Sequence, residues 1–197
     1  MTVESDWSSA SYHYSMAALS QKAEIKISSY KPNSLQGDYR LQSIYREFGV
    51  HSNFENFELQ LSKDLDAEVK AHYSFDLADC PDIAQTIVVT CFGLGVSCDL
   101  YGLHTLKIKE TDRLVALKNE LEKFGAIIEI TEDSLHLKKS DQEPYYSVEV
   151  ATYEDHRMAM AFAPLCLKTD LVVLDSNVVS KSYPTFWKDW DVYSQNT

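Results

Sequence analysis

The chain has 197 residues, 45% apolar and 24% charged, with 18 basic against 30 acidic side chains and a net charge of −12. This is the balance of a soluble globular protein of one large or two small domains. The acidity argues against a nucleic-acid surface or an anionic membrane as partner. The longest apolar runs, 87–96 and 158–167, are too short to span a bilayer. The acidic start Met1-Thr2-Val3-Glu4-Ser5-Asp6 is not a secretory signal. Cys80, Cys91, Cys98 and Cys166 form no Cys-x-x-Cys pair, so zinc and thioredoxin-like readings are weak. All four read as small core residues, reduced in a cytoplasmic protein.

In chain order, residues 6–19 read as a helix capped by Asp6 or Ser8 and rich in small residues. Residues 23–29 alternate as a strand, and Lys31-Pro32-Asn33-Ser34 is a turn. Residues 38–48 form a helix with Leu41, Ile44, Tyr45 and Phe48 on one face, ended by Gly49. A hairpin over 50–61 and a strand over 67–75 follow. The order then repeats: helix 82–94 after Pro81, strand 97–101, helix 111–124 ended by Gly125, hairpin 126–137, strand 146–151. A third round starts with helix 155–167 and strand 171–175, and Trp187 and Trp190 pack a last helix from Pro184 onward. Glu47-Phe48-Gly49-Val50 matches Lys123-Phe124-Gly125-Ala126 at an offset of 76, and Gly37-Asp38-Tyr39-Arg40 matches Glu110-Thr111-Asp112-Arg113 at 73. The difference of three is about one helical turn, so the second copy has the longer helix. Repeated α/β units without a Pro-, Gly- or Ser-rich linker predict a single domain over 1–197.

Two charged runs stand against apolar helical segments. Lys109-Glu110-Thr111-Asp112-Arg113 precedes Leu114, and Glu154-Asp155-His156-Arg157 runs into a segment whose Met158, Ala161, Phe162 and Leu165 should be buried. A helix start offers free N–H groups and the positive end of the dipole, and an added arginine suits phosphate or carboxylate. Lys107 and Lys109 alternate as if on one side of an extended segment. These cations are a large share of the few the chain has, which suggests a positive pocket in an acidic protein. Each run also reads as plain capping: surface ion pairs at the first, an Asp155 N-cap with exposed His156 and Arg157 at the second. Asp82 alone is an ordinary first-turn acid, and Lys181 a solvated loop lysine after a strand.

Together, six segments resemble the C-terminal half of the EPSP synthase (5-enolpyruvylshikimate-3-phosphate synthase) family. They are residues 3–12, Asn33-Ser34-Leu35-Gln36-Gly37-Asp38, Pro81-Asp82-Ile83-Ala84-Gln85-Thr86, 109–113, 153–162, and Ser180-Lys181-Ser182-Tyr183-Pro184-Thr185-Phe186. They stand in the family's order and cover nearly the whole chain. The resemblance implies one domain of the enolpyruvyl transferase fold, an inside-out α/β barrel built from βαβαββ-type units, facing a second domain across a cleft. It implies transfer of the enolpyruvyl group of phosphoenolpyruvate to the 5-hydroxyl of shikimate 3-phosphate, with no metal or organic cofactor. By motif, Asp82 corresponds to the proton acceptor that holds the shikimate hydroxyls. Glu110 corresponds to the acid that exchanges a proton with the phosphoenolpyruvate methylene. Lys109 corresponds to a shikimate 3-phosphate contact, and Arg113, Arg157 and Lys181 to the phosphoenolpyruvate-binding cations. His156 lies nearby without an assigned role. Thr105 stands where some members have an asparagine near the shikimate phosphate. The family's N-terminal Lys-Ser and Gly-Asn-Ala-Gly-Thr segments do not occur here. The expectation is therefore a C-terminal domain, inactive alone, whose partner is the missing N-terminal domain. The same architecture occurs in the transferase acting on UDP-N-acetylglucosamine, which typically lacks the two charged runs. A non-catalytic anion-binding module is the reading from another class.

Overall fold

The computed structural model describes residues 3–139 and 147–194. Asp6 caps α1 (Trp7–Leu19) by accepting a hydrogen bond from the Ser8 N–H at 3.1 Å. The chain continues through β1 (Glu24–Ser28), a 3-10 turn (Gly37–Arg40), α2 (Leu41–Arg46), β2 (Val50–Glu55), β3 (Glu58–Lys63) and β4 (His72–Asp76). The second round runs through a 3-10 turn (Pro81–Ile83), α3 (Ala84–Gly93), β5 (Ser97–Tyr101), a 3-10 helix (His104–Ile108), α4 (Arg113–Lys123), β6 (Ile127–Ile130), β7 (Leu135–Lys138) and β8 (Val148–Val150). The third has α5 (His156–Phe162), a 3-10 helix (Ala163–Leu167), β9 (Leu171–Val173), a 3-10 helix (Ser176–Lys181) and α6 (Phe186–Ser194). The repeat of helix, strand, helix, hairpin and strand is thus present, and α4 is longer than α2, 11 residues against 6.

The sheets follow the repeat. Their orders are β1-β3-β2, β4-β5-β7-β6 and β8-β9. The parallel pairs β4–β5 and β8–β9 are joined through α3 and α5, the crossover that parallel pairing requires. Helices occupy the centre, with nearly all of α1 and every residue of α3 buried. Their small side chains let the backbones approach, and their hydroxyls pair inside the core as buried polar groups must. Ser11 meets Thr86 at 2.9 Å and Thr90 meets Ser15 at 2.8 Å, both 75 residues apart, so the repeat also relates α1 to α3. Cys80, Cys91 and Cys98 are core residues, whereas Cys166 is exposed. Trp190 stacks on Phe186 at 5.3 Å and closes the last helix.

Several local expectations change. The helix expected over 155–167 is α-helical only to Phe162, because Pro164 has no N–H to continue the ladder. The helix expected over 38–48 opens with a 3-10 turn. The strand expected over 67–75 begins only at His72, and of that over 146–151, Tyr146 lies outside the described residues. The segment carrying Lys107 and Lys109 is not extended but a 3-10 helix ending at Ile108, so the two side chains diverge. Lys107 pairs with Glu132 at 2.7 Å, away from the site. Gly102 makes this turn possible: its φ is +76°, and a Cβ there would lie 2.5 Å from the Ala78 nitrogen. The close crossing brings the chain leading to Lys109 against the loop leading to Asp82.

Candidate active site

The two charged runs and Asp82 meet in space. Asp112 caps α4 through Leu114 and Val115 N–H, so the helix expected from 111 starts at Arg113. Its side chain turns inward and is 1% exposed. Arg113 Nε donates to Asp155 at 2.6 Å, Nη1 to Asp82 at 3.1 Å and Nη2 to Glu110 at 2.7 Å. The planar five-donor guanidinium is the side chain that can serve three carboxylates at once. With its oxygen turned toward Arg113, the Gln85 amide lies 3.1 Å from Nε and its nitrogen 3.2 Å from the Asp82 carbonyl. Arg157, at the start of α5, donates to the Asp82 carbonyl and carboxylate at 3.3 Å each. Lys109 lies 3.3 Å from Asp82. Asp155 caps α5 as expected, accepting from the Arg157 N–H at 2.8 Å. It is also fully buried, and His156 and Arg157 are half-buried rather than exposed.

This overturns the picture of a positive pocket. Lys109, Arg113 and Arg157 are equal in number to Asp82, Glu110 and Asp155: Asp82 meets all three cations, and Glu110 and Asp155 both meet Arg113. The cluster is charge-balanced because each cation needs a partner to leave water. Burial alone would raise the Asp82 carboxyl, but Arg157, Lys109 and Arg113 outweigh it and hold it below the usual range. For Glu110, burial is likewise outweighed by its own backbone N–H and by Arg113, so its carboxyl also sits low. Burial pushes the His156 imidazole down, with Asp155 acting against it. Both acids are therefore ionised, and His156 neutral, at neutral pH. Lys181 stands apart, exposed at the end of its 3-10 helix and in none of these ion pairs. The Thr105 hydroxyl is buried with no hydrogen-bond partner among the described residues.

Ligand atoms of Glu110, Asp155 and His156 lie within 4.8 Å of one another, a spacing that suits a cation. The Arg113 guanidinium and the Arg157 N–H already use both Asp155 oxygens, and Glu110 also holds Arg113. A metal there would have to displace a buried arginine.

The loop before α5 is strained. Tyr153 and Glu154 have φ of +54° and +57°, the left-handed region that non-glycine residues avoid. Left-handed geometry costs roughly 1–2 kcal/mol per L-residue, and Asn tolerates it better than Glu. Glu154→Asn should stabilise the chain by about 0.5–1 kcal/mol. A thermal melt showing no gain would mean that the turn is relaxed.

Repeated α/β units thus surround buried helices, with an ionic cluster at the helix starts. A solved structure of EPSP synthase from Acinetobacter baumannii has the same fold, with a TM-score of 0.72 at 21% identity, covering 94% of this chain and 45% of that one. The family model for EPSP synthase (3-phosphoshikimate 1-carboxyvinyltransferase) matches residues 1–190. The chain belongs to the EPSP synthase family. It is 43% identical over 190 residues to the 3-phosphoshikimate 1-carboxyvinyltransferase of Bacteroides fragilis and 36% identical over 188 to that of Methanospirillum hungatei. Each alignment covers 95% of this chain but 46% and 43% of those relatives, so the chain spans about half their length.

Proposed function

We propose that this chain is one domain, the C-terminal one, of an enzyme that moves the enolpyruvyl group of phosphoenolpyruvate to the 5-hydroxyl of shikimate 3-phosphate and releases phosphate. The observation that carries the reading is the convergence of Asp82, Lys109, Glu110, Arg113 and Arg157 in a member of this family. The family match favours shikimate 3-phosphate over a UDP-sugar. Free thiols suit a reducing, cytoplasmic setting. Among the described residues no helix is long and apolar enough to cross a membrane.

In this reading Asp82 accepts the proton of the attacking hydroxyl, and Glu110 exchanges a proton with the methylene carbon. Lys109 contacts shikimate 3-phosphate, while Arg113, Arg157 and Lys181 bind phosphoenolpyruvate. The balanced cluster fits a site that waits for its substrates. Ionised Asp82 is free to accept but is a weak base under three cations. Two anionic substrates would draw on those cations and so raise the basicity of both carboxylates. Glu110 would then hold the proton it must deliver.

The test supplies the missing half. The chain alone should release no phosphate from phosphoenolpyruvate and shikimate 3-phosphate, because the groups of the facing domain are not held against its own. Adding the N-terminal half of a relative in trans should restore release, and Glu110→Gln should abolish it again. Glu110-dependent turnover by the chain alone would overturn the half-site reading. A reassembled pair with native-like association and no turnover would overturn the assigned reaction.

A further inference from the structure

We infer that Glu120 is a positioning residue for the cleft, acting through the strained turn that presents Asp155 and Arg157. The inference rests on the proposed role of the cluster as the anion site. Glu120 lies on α4, seven residues after Arg113, and two helical turns return it to the same face. It is a charged side chain with no exposure at all. One oxygen accepts from the Ala151 N–H at 3.0 Å and from Lys123 Nζ at 2.6 Å. The other accepts from the Tyr153 hydroxyl at 2.7 Å. Ala151 leads into the turn and Tyr153 is the first of its two left-handed residues; the turn closes with the Asp155 N–H on the Thr152 carbonyl at 2.9 Å. The next residues are the Asp155 that grips Arg113 and the Arg157 that grips Asp82.

α4 thus holds the site twice. Its first residue meets Asp155 directly, and its middle holds the backbone that delivers Asp155. A turn with two consecutive left-handed residues would relax toward other geometries unless its neighbours over-determined it. A buried carboxylate with both oxygens occupied supplies that constraint. A purely structural account would have Glu120 serve only the helix–strand packing and the exposed Lys123 pair.

Three variants of the intact two-domain enzyme separate these accounts. Tyr153→Phe removes one contact to the turn and nothing from the site. Glu120→Gln keeps a weakened pair of turn contacts, since a tyrosine hydroxyl can accept as well as donate. Lys118→Ala removes a cation of the same helix that, among the described residues, bonds only Glu122 and the Ile128 carbonyl, and leaves the turn contacts alone. KM for phosphoenolpyruvate should rise roughly tenfold in the first two, with KM for shikimate 3-phosphate within about twofold, and neither should move in Lys118→Ala. On the chain itself, hydrogen exchange at the Asp155 and Arg157 amides should quicken about tenfold in Tyr153→Phe and not in Lys118→Ala. Unchanged KM and unchanged exchange in both turn variants would overturn the inference. So would equal losses for both substrates, the mark of general destabilisation. Failure of the wild-type enzyme to turn over would sink the proposed reaction alone, because the exchange result judges the positioning independently.

Discussion

Arg113→Ala should cost the folded chain about 3–5 kcal/mol, the usual consequence of removing one partner from a buried ionic cluster. The residue starts a helix amid charged neighbours, where an arginine is normally a solvated surface group. Its 1% exposure and three carboxylate partners put it in another category. Without it, Asp155 stays fully buried with only the Arg157 N–H to satisfy it, and Asp82 keeps Lys109 and Arg157. Arg113→Lys should fall between, because a point charge cannot fork to three acceptors. The pH dependence has a definite sign. In the native chain the Asp82 and Glu110 carboxyls are held low, so their contribution is present above the ordinary carboxylate range and is lost as pH falls through their folded values. In the variant Glu110 loses its guanidinium partner and Asp82 one of its three cations, so both gain more from protonation. The gap between variant and wild type should therefore be widest at neutral pH and narrow on the acid side. Urea midpoints at several pH values measure it. A loss under 1 kcal/mol at neutral pH would mean that Arg113 does not hold the cluster together.

The elements were largely legible because each carries a local signal: Asp6 and Asp155 as caps, Gly49 and Gly125 as stops. The 3-10 helix before Lys109 was not, because alternating lysines mimic a strand while Gly102 and its close crossing with Ala78 decide the path. The site's members were legible as motifs, but the way they meet was not. Arg113 reaches Asp155 across 42 residues, and Arg157 reaches Asp82 across 75. Asp155 read as a cap and is also the buried partner of Arg113. Glu120 carried no local signal, since a glutamate three residues before a lysine on a helix is ordinarily a surface pair. Charge balance is likewise a property of the assembled cluster.

Asp82→Asn should move binding and turnover in opposite directions. The Asp82 carboxylate is the one acid that meets Lys109, Arg113 and Arg157 alike, each at 3.1–3.3 Å, among the described residues. Asparagine keeps the size and one acceptor but removes the charge, so the cluster passes from balanced to cationic. Arg113 retains Asp155 and Glu110, so the fold should survive. In the proposed reading these cations hold the anion, and a charge-assisted hydrogen bond is worth about 1.5–3 kcal/mol. Phosphoenolpyruvate should bind the reassembled enzyme roughly tenfold more tightly or better. Turnover should fall by about 10²–10⁴, because an amide cannot take the proton of the attacking hydroxyl. Calorimetry with phosphoenolpyruvate and a coupled phosphate-release assay read the two effects separately. If affinity and turnover fell together, Asp82 would be a structural partner of the arginines rather than the proton acceptor. If turnover fell with affinity unchanged, the cations it neutralises would not be the ones that touch the anion.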